Sequence, residues 1–61
     1  MQDWFVSWEY NHQGTTAHGW NIFSANVNQK AIDAINQYIK EMVISTGFIE
    51  SSIIIKAFNK V

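Results

Sequence analysis

The chain has 61 residues, with four Lys, no Arg, five acidic residues and a formal net charge of −1, and it contains neither Cys nor Pro. This excludes disulfide staples and thiolate metal sites, and it removes the basic face and the bidentate Arg contacts on which most nucleic-acid binders rely. The length fits one domain, residues 1–61, that buries only about 60 % of its unfolded surface, so oligomerisation or partner binding is a natural source of further stability.

Asp3 to Tyr10, DWFVSWEY, alternates and is rich in aromatic and β-branched residues, the signature of a strand. Its even set, Trp4, Val6, Trp8 and Tyr10, is the more apolar and is assigned to the core, leaving Phe5 on the other face. Asn11 to Gly19 reads as a turn region, with the loop proper near Gln13 to Thr15 if the strands extend inward. Trp20 to Val27 is the second strand. Phe23, Ala25 and Val27 are expected inside, and Trp20, Ile22, Ser24 and Asn26 outside.

Gln29 to Thr46 is the only segment with sustained helical periodicity. Ile32, Ile35, Ile39, Met42 and Val43 form the apolar stripe, and Ile44 alone falls on the polar side. Asn26 and Asn28 are reasonable N-caps, and Gly47 suits the left-handed position that ends a helix. The polar face lacks the Lys/Arg richness of a membrane-surface helix, so the stripe is expected to pack on a sheet. Ser52 to Phe58, SIIIKAF, is the third strand. Its Lys56 assigns Ile54, Lys56 and Phe58 to the outer face and Ile53, Ile55 and Ala57 to the inner one.

The order strand, strand, helix, strand predicts an α+β fold, β-β-α-β. Its three-stranded, mostly antiparallel sheet of order 2-1-3 carries one helix on one face. A right-handed crossover placing the third strand beside the second is the alternative. One helix covers one face only, so the other displays Phe5, Trp20, Ile22, Ile54 and Phe58, more than scattered surface exposure. Either the Asn11 to Gly19 loop or the tail folds over this patch, or the patch is an interface.

Phe5-Val6-Ser7-Trp8 with Tyr10, then Gly19-Trp20-Asn21 with Phe23, then Ile53-Ile54-Ile55 with Phe58, resembles a group of small proteins encoded by bacteriophages and other mobile elements. The likeness spans nearly the whole chain through short structural motifs. His18 and the bulky Trp20 depart from the pattern near the glycine turn. The resemblance implies a mobile-element setting, in which small proteins bind and modulate host proteins, and a counter-defence role. It carries no catalytic residue.

His12 and His18 offer at most two imidazole ligands where a metal site needs three or four. No nucleophile, orienting acid and oxyanion site are specified together, and the three glycines are isolated. Neither cofactor, metal nor catalytic residue is therefore expected. The reading is a non-enzymatic protein-binding chain, self-associating as a homodimer, with Trp20 and Phe58 as anchors among Phe5, Ile22 and Ile54 and with His12 and His18 as a polar loop rim. A single-stranded nucleic-acid module stacking bases on the sheet aromatics is the alternative. The N-terminus has no basic segment and the apolar runs are short, so no signal peptide or membrane span is expected and cytoplasmic residence is the default.

Overall fold

The computed structural model describes all 61 residues. Strands β1 (Gln2–His12) and β2 (Thr15–Ala25) form a hairpin. Helix α1 (Ala31–Thr46), a short 3-10 turn (Glu50–Ser52) and strand β3 (Ile53–Lys60) follow. The sheet is open and antiparallel throughout, in the order β2-β1-β3.

The hairpin turn is tighter than the composition of its region suggests. Gln13 (φ 50°) and Gly14 (φ 83°) are its only turn residues, and positive φ at both gives the turn a twist that matches the strands. Most of the expected Asn11 to Gly19 turn region is therefore strand. Register then fixes the faces. Trp4 opposes Phe23, Val6 opposes Asn21 and Tyr10 opposes Ala17, while Phe5 opposes Ile22 and Ser7 opposes Trp20.

The even set of β1 faces the helix as its apolarity dictates: Trp4, Val6 and Tyr10 are buried, Val6 completely. Ala25 and Ala34 are small enough to let α1 approach the sheet, and with Trp4 they form the centre of the core. Phe23, Phe58 and Tyr38 surround that centre as stacked rings. Trp4–Phe58 and Phe23–Tyr38 centroids each lie 4.7 Å apart. Each such ring pair contributes about 0.5–1.5 kcal/mol beyond its burial. The Trp4 Nε1–H is buried without a hydrogen-bond partner, a cost of about 1–3 kcal/mol in a small core.

The far end of the inner face is closed by the chain leaving the helix. Gly47 takes the left-handed conformation (φ 78°) and donates its N–H to the Val43 carbonyl, as expected of a C-terminal cap. Phe48 then folds onto β1, stacked on Tyr10 at 4.0 Å and edge-on to Trp8 at 5.9 Å. Ile49 donates its N–H to the Tyr10 hydroxyl, and His12 Nδ1 is 2.9 Å from Ser52 Oγ. These contacts tie the hairpin tip to the start of β3.

Five expectations are corrected: the faces of Phe58 and Ala57, the helix N-cap, and the burial of Val27 and Ile32. Phe58 lies on the helix side, because a β-bulge interrupts β3: Ser7 opposes Ala57 and Trp8 opposes Ile55, so Lys56 is an extra residue that reverses the alternation after it. Ala57 accordingly moves to the outer face. The helix begins at Ala31 with Lys30 as an N-cap that makes no side-chain bond. Asn26 instead accepts the Asn28 N–H on its Oδ1, in a turn that takes Val27 out of the core and leaves it exposed. The buried helix face is also rotated toward Ala34 and Tyr38, which leaves Ile32 60 % exposed. No helix is long and apolar enough to cross a membrane.

Candidate protein-docking surface

The sheet has one helix and therefore one uncovered face. The residues on it follow from the register: Asp3, Phe5, Ser7 and Glu9 from β1, their opposite numbers Ser24, Ile22, Trp20 and His18 from β2, and Ile54, Ala57 and Asn59 from β3. Neither the hairpin tip nor the tail folds over it. Trp20 is 68 % exposed, Ile22 51 % and Ile54 50 %. Phe5 is half-buried because the Trp20 ring leans on it, with centroids 6.3 Å apart at 26°. That pair is diagonal across the β1–β2 ladder, a spacing aromatic side chains span readily.

Beside the pair lies a shallow open depression of about 460 Å³, lined by Phe5, Ser7, Trp8, His18, Gly19 and Trp20. It is apolar, with polarity confined to its edge. Elsewhere on the face the Lys56 ammonium lies 3.7 Å from the Glu9 carboxylate, and Ser24 Oγ donates to Asp3 Oδ1 at 2.6 Å. A water-exposed ion pair of this kind contributes about 0–1 kcal/mol to stability. Its consequence is that the one lysine on this face already has a carboxylate beside it.

Four of the five expected patch residues, Phe5, Trp20, Ile22 and Ile54, share this face. Phe58 does not. The two histidines also separate. His18 opposes Glu9 and lies on the outer face, whereas His12 opposes Thr15 and turns to the helix side, where it meets Ser52. Both belong to strands, not to a loop, and they cannot share an ion. No three His, Asp or Glu side chains cluster closely enough to hold a metal. The His12–Ser52 pair is the nearest thing to a catalytic dyad, but no acid orients the imidazole and no pocket adjoins it. A second cleft, about 260 Å³, opens between β2 and α1, with Phe23, Ala34 and Tyr38 on its apolar side and Asn26, Gln29, Gln37 and Glu41 on its polar side.

Ala57 was missed by the sequence reading, since the bulge that turns it outward has no signature in SIIIKAF. No protein-family model, curated protein or solved structure matches the chain.

Proposed function

We propose that this chain is a non-enzymatic protein-binding module and that the outer face of its sheet is the docking surface. One observation carries the reading: three large apolar side chains, Trp20, Ile22 and Ile54, stand at least half exposed on a single uncovered face. Trp20 is the anchor. An indole offers a large contact area at little cost in side-chain entropy, and Trp is over-represented among residues that dominate binding energy. Phe5 supports the indole from beneath, and His18, Glu9 and Lys56 form a polar rim. The resemblance of the strand motifs to small phage and mobile-element proteins supports a host protein as the partner, with the module acting in the cytoplasm as a modulator or counter-defence factor.

Base stacking on Phe5 and Trp20 is the competing use of the same rings. The face opposes it electrostatically, because Asp3 and Glu9 stand on it and Lys56 is held beside Glu9. The two uses separate by salt. Protein docking through an apolar face should change little between low and physiological salt, whereas oligonucleotide binding should weaken steeply.

The test is differential capture from a bacterial lysate by the wild-type chain and by Trp20→Ala, with circular dichroism confirming that both are folded. A species retained by the wild type and lost with Trp20→Ala supports the reading. Equal retention by both would remove Trp20 from the interface.

A further inference from the structure

We propose that a second copy of this chain docks edge to edge along β3, joining two three-stranded sheets into one six-stranded antiparallel sheet. The two free edges of the sheet are unlike. On β2 the edge is blunted: the Asn21 side chain curls back so that its Oδ1 accepts the Ile22 N–H, and the flank between β2 and α1 is a cleft of mixed lining that includes Gln29, Gln37 and Glu41.

On the β3 edge the corresponding guard lies only at the far end, where the Asn59 side-chain amide donates to the Lys60 carbonyl, and the Ile53–Ile55 stretch carries none. The Asp3 carbonyl accepts the Val61 N–H, so by antiparallel alternation the odd residues of β1 turn their backbone groups toward β3. Ile54, opposite Glu9, therefore points its own groups inward, and Ile53 and Ile55 point theirs outward. The Ile53 N–H is used by the Glu50 carbonyl. The Ile53 carbonyl and both backbone groups of Ile55 remain at the open edge. Lys56, a residue type that commonly protects edges, instead lies over the outer face beside Glu9.

The helix overhangs the same edge. Tyr38 stacks on Phe23 of β2, so positions about 100–140° around the helix from it, namely Ile39, Ile32 and Val43, turn toward the β3 side. Ile32 is exposed, while Ile39, Val43, Ile53 and Ile55 are only half-buried. An open backbone edge and an apolar shelf above it are thus left on one flank.

A second copy related by a two-fold axis satisfies both at once, since antiparallel strand pairing is self-complementary. Centring the axis on Ile54 keeps the pairing within Ile53–Ile55, ahead of the bulge. Ile54 then faces Ile54 of the second copy, Ile53 faces Ile55, Lys56 faces Ser52, and no like charges are opposed. The Ile55 N–H of each copy donates to the Ile53 carbonyl of the other. The paired segment of three residues is about 10 Å long, and the molecule is 16–18 Å across. Each copy would bury on the order of 200 Å² along it, below the usual size of a specific interface. The dimer is therefore weak and concentration-dependent.

The experiment combines solution mass with cysteine cross-linking, which the absence of native Cys makes clean. Light scattering from about 10 µM to about 1 mM should show the mass rising from 7.0 kDa toward twice that value. Ile54→Cys should form a disulfide-linked dimer under mild oxidation, and Thr16→Cys on the β2 edge should not. Ile32→Glu, at an exposed helix position, should weaken association at least about tenfold while leaving the fold intact. A monomer across the whole range would overturn the proposal, as would cross-linking of Thr16→Cys equal to that of Ile54→Cys. A dimer dissolved by Trp20→Ala but not by Ile32→Glu would mean that copies meet through the outer face instead. Edge pairing leaves Trp20 uncovered, so its failure does not touch the docking role of the outer face.

Discussion

The Trp8 indole covers Gly19, its direct partner across the hairpin. A Cβ placed on that glycine would come within 2.8 Å of Trp8 Cζ2. Phe48 packs edge-on against the same indole. A glycine in the middle of an edge strand is ordinarily a weak point, and here the covering ring supplies the packing that the missing side chain does not. Gly19→Ala should lower stability by about 1–3 kcal/mol, the usual cost of overpacking, as read by urea unfolding. An unchanged or higher midpoint would mean that the indole moves freely.

Phe58 and Trp20 should separate cleanly by stability. Phe58 stacks on Trp4 within the core, so Phe58→Ala should cost about 2–4 kcal/mol, somewhat less than for a fully enclosed Phe. Trp20→Ala should shift stability by less than about 1 kcal/mol, because it leaves no buried cavity. Chemical denaturation of both variants is the check, and equal losses would contradict the assignment of faces.

That contrast also marks where the amino-acid sequence is legible and where it is not. Strand order, the apolar side of β1, the Gly47 cap and four residues of the outer patch follow from alternation and turn chemistry, which are local. Phe58 does not. Its face depends on one extra residue at Lys56, and a bulge is set by pairing with β1, a partner some fifty positions away. Ile32 fits the helical stripe yet stays exposed, because the helix is rotated by the stacking of Tyr38 on Phe23 and by the small Ala34. His12 and His18 look like one loop in the chain, but pairing extends both strands to a two-residue turn and sends the two rings to opposite faces. Phe48 has no periodic neighbours that would mark it as the cover of Tyr10 and Trp8.

The turn itself is open to improvement. Gln13 holds φ 50°, a conformation that Asn adopts more readily than Gln, and Asn-Gly is the preferred pair for this turn. Gln13→Asn should raise stability by about 0.5 kcal/mol, measured as an upward shift in the thermal midpoint. A downward shift would contradict the turn geometry.

The Tyr10 hydroxyl is the acceptor that fixes the chain after the helix, through the Ile49 N–H at 3.1 Å. Tyr10→Phe keeps the stack on Phe48 and removes that bond alone. The loss should be about 1 kcal/mol, and amide hydrogen exchange at Ile49 should quicken while exchange in β2 does not. Uniform acceleration would instead indicate global destabilisation.

Trp20 is open in the free chain and Trp4 is in the core, and the proposed docking role requires a protein partner to cover Trp20. Fluorine NMR of the chain labelled with 5-fluorotryptophan reads the three tryptophans separately. A water-soluble paramagnetic agent should broaden the Trp20 signal in the free chain and spare Trp4. In the complex isolated from lysate, Trp20 should become protected. A Trp20 signal as accessible in the complex as in the free chain would contradict the account.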